Sequence, residues 1–204
     1  MVFRVAVDCL AEEDESVAYV FCSRYGEYNR SYRILTGLAN DEPVSAAAFS
    51  NSVHNTSASL FSIEQKDTSR STAVAGCDST LETAFIEALS LLSDGIARAV
   101  LVVYHDEPLP EIYHDQQTTV SNGAAFAMLL RLPEPARKGI ELTLSWGSQQ
   151  DAPAELRTAV DPALQVLGLL LKGGNPVVFD TERLAWTWST NGKAAGPPLA
   201  AAKT

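Results

Sequence analysis

Cysteine is scarce in this sequence of 204 residues, and the three present, Cys9, Cys22 and Cys77, form no CxxC pair. An odd, scattered set excludes a disulfide framework and a zinc ribbon, and reads as reduced thiols in a cytoplasmic protein. No apolar run reaches the roughly 18 residues of a membrane-spanning helix. The opening "MVFRVAVDCL" has neither a charged n-region nor a small-residue cleavage site, so no signal peptide is expected. Basic residues number 15 against 25 acidic ones, for a formal net charge of -10. Phosphate backbones and anionic lipid surfaces repel such a chain, so neither nucleic acid nor membrane is an expected partner. There is no glycine-rich phosphate loop, no GxSxG and no P-loop, and no cofactor is expected. Histidine is limited to His54, His105 and His114. The carboxylates and imidazoles of "HDE…YHD" lack the spacing of a ligand set, so no metal site is expected either.

What is present is the material of a core. Hydrophobic residues make up 46% of the chain and charged ones 20%, which argues against disorder and for one domain with a sizeable core, or one compact domain plus an appendage. "VFRVAVDCLA" sets Val2, Val5, Cys9 and Leu10 on one helical face, and the acidic run "EEDES" ends that helix. "VAYVFCS" (17–23) is a continuous β-branched and aromatic run, the pattern of a strand buried on both faces. "YNRSYRILTGLA" has helical period and breaks at "NDEP". Another helix is predicted to start at Asn55 or Thr56, either of which can cap "SASLFSI". "STAVA" is predicted as a short buried strand and "GCDS" as a tight turn. A strong helix follows over 80–93, capped by Asp78 or Ser79 with Glu82 in its first turn. "ARAVLVVY" (97–104) is a second central strand, which makes a strand–helix–strand crossover and an α/β class. "VSNGAAFAMLLRL" (120–132) adds a further strand. Weaker signals give a strand at 140–146, a helix at 161–172, and a closing pair in "PVVFD" and "LAWTWS". There is no internal repeat.

Cys77 is the sharpest chemical candidate, lying in the turn before a helix, where orphan N–H groups and the dipole favour a thiolate. The simpler reading is a small residue filling a turn. A nucleophilic thiol needs a base. His54 sits among hydroxyls in "FSNSVHNTSASLFSI" and reads as a structural loop histidine. His105 and His114 follow a strand end, where "HDEP" reads as a charged loop leaving the sheet.

Taken together and in order, "FCSRYGE", "PVSAAAFSNSVHNTSASLFSI", "STAVAGCDSTLETAFIEAL", "VLVVYHDEPLPE" and "GAAFAMLL" resemble the N-terminal half of a β-ketoacyl synthase. More narrowly, the chain resembles the β-ketoacyl synthase-like N-terminal domain family, which includes chain-length-factor-like subunits of aryl polyene pathways. The resemblance implies a truncated thiolase-like fold of mixed sheet flanked by helices. Residues 1–132 would be the core, 133–190 a shortened C-terminal portion packed on it, and 191–204 a disordered tail. It places Cys77 on the synthases' nucleophile position, since "AGCDS" matches "TACxS". It gives His54 no catalytic role, and it sets Asn55 on an asparagine near the dimer interface. The family's catalytic histidines lie in the second half of its duplicated fold, and no histidine follows residue 132 here; of the "GGxE" strand end only Glu107 matches. The resemblance therefore implies a catalytically incomplete subunit paired with an active β-ketoacyl synthase, and the charge of -10 here sets acyl carrier protein mainly on that partner. Asn55, Leu60, Phe61, Ile63, Leu81 and Phe85 would line the interface and the acyl tunnel. The alternatives are an acyl-transferring or condensing enzyme that uses Cys77 itself, and a structural homodimer.

Overall fold

The computed structural model describes residues 1–10, 16–116, 123–135, 137–148, 161–181 and 184–191. The acidic run after the first helix and the tail from 192 onward lie outside the described residues, as does the start of the strand expected at 120. The chain divides into two compact units, one comprising Met1–Gln117 with Ser121–Leu132, the other beginning in earnest at Pro133.

The first unit is a four-stranded sheet between helices. Its strands are β1 (Val17–Cys22), β2 (Ser71–Val74), β3 (Ala99–Asp106) and β4 (Ala124–Leu130), in the order β2-β1-β3-β4. β1 pairs in parallel with β2 and β3, and β4 closes the other edge antiparallel to β3. Every residue of β1 and β3 is buried, as their unbroken apolar runs require when both sheet faces are covered. The odd-numbered side chains Val17, Tyr19 and Phe21, with Ala99, Leu101 and Val103, pack against α1 (Val2–Leu10) and α4 (Thr56–Gln65). Phe61 is the centre of that face. Its ring lies 5.7 Å from Phe3, 5.5 Å from Tyr19 and 5.5 Å from Phe21, in edge or tilted geometries that aromatic quadrupoles favour. α5 (Thr80–Ser93) packs on β1, β3 and β2, burying Leu81, Ala84, Phe85, Ala88, Leu91 and Leu92.

Four local expectations are corrected. β2 is not a buried strand but the edge of the sheet, with Ser71 exposed and the rest half-buried. β3 runs two residues further than the sequence signal, because β4 pairs with it to the end, His105 opposite Ala125 and Asp106 opposite Ala124. His105 and Asp106 are therefore buried strand residues and not a charged loop. Neither Asp78 nor Ser79 caps α5 with its side chain. A 3-10 turn, Cys77–Ser79, leads into the helix instead, and the Thr80 hydroxyl accepts from the Gly76 N–H and donates to the Cys77 carbonyl. Asn55 likewise holds the N-cap position of α4 without a side-chain cap bond, while the Thr56 hydroxyl donates to the Val53 carbonyl.

Two helices lie between β1 and α4. α2 (Tyr28–Ala39) was expected; α3 (Ala46–Ser50), capped by the Ser45 hydroxyl on the Ala48 N–H, was not. Neither buries a single residue, although an isolated helix of about 12 residues is marginal in water.

The second unit is an antiparallel sheet of β5 (Leu142–Ser148), β7 (Leu184–Thr190) and β6 (Val177–Asp180), in the order β5-β7-β6. α6 (Pro162–Lys172) packs on β6 and β7, burying Val166 and Leu169 in the unit that holds Phe179, Trp186 and Trp188. Its start follows the sequence rule: the Asp161 carboxylate accepts from the Ala163 N–H, and Pro162 stands first in the helix.

Candidate functional site

In an open α/β sheet the carboxyl ends of the parallel strands gather the loops that carry function. Here those ends bring together the Ser23–Glu27 loop after β1, the Cys77 turn after β2, and the end of β3 at Asp106. Two glycines make the loops possible. A Cβ at Gly76 would fall 2.6 Å from the Thr83 hydroxyl and 2.9 Å from the Ser79 carbonyl, so only glycine lets this turn close onto α5. Gly26, at φ +53, lies against His54, whose Cδ2 would be 2.8 Å from an added Cβ.

Cys77 projects from the turn at φ +51, a left-handed conformation that costs a non-glycine residue on the order of 1–3 kcal/mol. Its thiol is exposed, unlike that of buried Cys22, whose pKa is driven up by burial and by the nearby carboxylates Asp106 and Glu82. Of the cysteines, the exposed one at the helix start is thus the one with access to an electrophile. The Arg24 guanidinium, with only 8% of its side chain exposed, reaches Asp78 beside it at 3.5 Å and lies 5.5 Å from the Tyr25 ring centre.

Asp106 fixes the loop that carries Arg24. One carboxylate oxygen accepts from the Ser23 hydroxyl at 2.7 Å and from the N–H groups of Arg24 and Tyr25 at 2.9 and 3.3 Å. The other accepts from the Tyr104 hydroxyl at 2.7 Å. The Ser23 hydroxyl accepts in turn from the Gly26 N–H. Sequence reasoning missed this keystone. Its only signal was an acidic residue closing an otherwise apolar strand.

The two described histidine side chains are engaged elsewhere than on the thiol. The His54 ring sits 3.0 Å from the Ser23 carbonyl, a loop-bracing contact. His105 is buried in β3, and desolvation lowers its pKa against the opposing pull of Asp106, Glu27 and Glu107. The side chain of His114 lies outside the described ones. Among the described residues, no group of three or more His, Cys, Asp or Glu is placed to hold a metal ion. The arrangement can present a thiol but supplies no described base to it.

The expected interface residues divide sharply. Leu60 is 39% exposed and Ile63 72%, and Asn55 is also exposed, its amide 3.4 Å from the Ser59 hydroxyl. Phe61, Leu81 and Phe85, by contrast, are buried in this chain's own core and have no surface to offer a partner. The exposed apolar side chains that accompany Leu60 and Ile63 are Ile86 and Leu89 of α5. α4 and α5 both pack on β2, the edge of its sheet among the described residues. A second exposed set, Leu35, Leu38, Val44, Phe49 and Val53, lies on and beside α2 and α3. No helix among the described residues is long and apolar enough to cross a membrane.

The family described as "Beta-ketoacyl synthase, N-terminal domain" matches residues 1–189. No curated protein sequence matches. Among solved structures, the chain is 30% identical, at a TM-score of 0.76, to a chain in the complex of the ketosynthase ApeO with its chain length factor ApeC from Xenorhabdus doucetiae. The alignment covers 92% of this chain and 76% of that one. The ishigamide ketosynthase/chain length factor shares the fold at 18% identity and a TM-score of 0.51; the match covers 68% of this chain and 43% of that one.

Proposed function

This chain belongs to the β-ketoacyl synthase N-terminal domain family, with its thiolase-like fold, and from that premise we propose that it is a chain-length-factor-type subunit. Its partner is an active β-ketoacyl synthase that elongates a polyketide-type or aryl polyene chain in the cytoplasm. The observation that carries this reading is the edge position of β2 among the described residues, with α4 and α5 packed on it and Leu60, Ile63, Ile86 and Leu89 exposed on those two helices. An unpaired edge beside exposed aliphatic side chains invites aggregation unless another chain covers it. The structural relatives support the choice of partner, since both are named as a ketosynthase with its chain length factor. Given the two coverages, the first matched chain is only modestly longer than this one, so the likeness extends over most of both chains.

In this reading the partner's active site performs the condensation, and the β2 edge with its flanking helices forms one wall of the space into which the acyl chain grows. Acyl carrier protein docks on the partner, because the charge of -10 on this chain disfavours an acidic carrier. Co-purification with the synthase tests the pairing; a monodisperse chain that ignores the synthase overturns it.

The second reading, a condensing or acyl-transferring enzyme, has one observation in its favour, the exposed Cys77 at the start of α5. The two readings part on one variant. Cys77→Ala in the co-purified complex is expected to leave the condensation rate within a few-fold, with Cys77 only modestly labelled by iodoacetamide in the parent. Loss of all condensation with assembly intact makes the thiol catalytic and selects the second reading.

A further inference from the structure

Among the described residues, the three-stranded sheet of the second unit ends on a long strand, β5, that no other described strand pairs beyond β7. β5 spans seven residues, "LTLSWGS", and among the described residues it pairs only with β7. Proteins protect such edges with charge, proline, brevity or a covering element. β5 has none of the first two, since no residue from Leu142 to Ser148 is ionisable or proline. Apart from β2, assigned above to the synthase, the other edges are better defended. β6 has four residues and closes on Asp180, and β4, equally long and uncharged, is packed by α1. On β5, Thr143, Ser145, Trp146 and Gly147 are exposed, and Trp146 leaves 58% of its surface open although its ring lies 5.7 Å from Trp186.

We propose that this edge pairs antiparallel with β5 of a second copy of the same chain, joining two three-stranded sheets into one of six. Charge selects that occupant. At -10, most faces of this chain repel a second copy, while a strand without ionisable groups brings no like charges together. Shape agrees. Full overlap of the seven residues centres the twofold on Ser145, which places Leu144 of one copy directly opposite Trp146 of the other, on the same face of the sheet. That cross-strand aliphatic–aromatic contact, made twice, covers the exposed indole. A strand pair alone is small beside the roughly 1,200–2,000 Å² of a stable interface. The isolated chain therefore dimerises weakly and in a concentration-dependent way. In the presence of a synthase, two heterodimers are joined through this strand.

The test reads mass, first on the chain alone and then on the complex with its synthase. The parent chain is expected to approach twice its monomer mass as concentration rises. Ser145→Lys sets two ammonium groups opposite each other on an exposed position and is expected to return the chain to monomer, with an unchanged circular dichroism spectrum. Ser145→Cys gives a positive signal. In either hydrogen-bonding phase the paired Cα atoms are about 4.5 or 5.5 Å apart, within disulfide reach. Mild oxidation is then expected to yield a covalent dimer that the parent, with its own Cys77, does not form. A parent chain that stays monomeric at high concentration and gives no Ser145→Cys crosslink overturns the proposal. So does doubling that survives Ser145→Lys. Loss of the synthase from the Ser145→Lys complex also overturns it and makes the synthase the occupant of this edge. Because the first mass is measured on the chain alone, failure to bind any synthase leaves the strand pairing tested all the same.

Discussion

Phe61→Asp is expected to leave the chain unfolded, whereas Leu60→Asp, one residue away on α4, is expected to leave it folded and unable to hold the proposed synthase partner. Phe61 is 1% exposed and touches rings from α1 and β1, while Leu60 is 39% exposed on the same helix, which packs on β1 and β2. Truncating such a phenylalanine to alanine already costs about 3–5 kcal/mol. A carboxylate in its place adds an unpaired buried charge, which together consumes most of the roughly 5–15 kcal/mol that stabilises a domain. Leu60→Asp removes little core packing but puts a charge on the surface that the proposed pairing would desolvate, so the loss falls on assembly and on any elongation by the proposed partner. Circular dichroism and size-exclusion chromatography with mass measurement, on each variant co-expressed with the synthase, separate the two outcomes. A folded Phe61→Asp contradicts the placement of that ring. A Leu60→Asp chain that co-elutes with the synthase at full strength removes the β2 edge from the interface.

The second large effect belongs to Asp106. Replacing it with alanine strands the Ser23 and Tyr104 hydroxyls and the N–H groups of Arg24 and Tyr25, all of which donate to it. Hydrogen bonds to a charged group are worth about 1.5–3 kcal/mol each, and bonds sharing one acceptor are not additive, so a net loss of about 3–5 kcal/mol is expected. Asp106→Asn keeps one acceptor oxygen and is expected to fall between the parent and the alanine variant. Urea unfolding measures both. The loop carries Arg24 to Asp78, so loosening it is also expected to speed iodoacetamide labelling of Cys77. An alanine variant within about 1 kcal/mol of the parent ends the keystone role. Unchanged labelling in a folded variant disconnects the loop from the Cys77 turn.

Much of the first unit is legible in the sequence alone. Unbroken apolar runs at 17–22 and 99–104 can only be strands covered on both faces, and "TLETAFIEALSLLS" can only be the helix that covers one of them. The order of five motifs identifies the family, because sequence similarity needs no knowledge of the fold it implies. Cys77 falls in its turn as expected, since glycine followed by a small polar run is a local signal.

What the sequence could not decide were matters of partnership between distant residues. Leu60 and Phe61 are equally apolar, and only the side on which the sheet lies makes one a surface residue and the other the centre of a core. The end of β3 is set by β4, whose pairing carries His105 and Asp106 into the strand although their polarity reads as loop. Asp106 meets Ser23 across 83 residues, a separation over which no periodicity speaks. The edge positions of β2 and β5 among the described residues are likewise properties of strand order: a strand carries the same residues at the centre of a sheet or at its rim, and only the neighbours it acquires in three dimensions decide which of its backbone groups still need a partner.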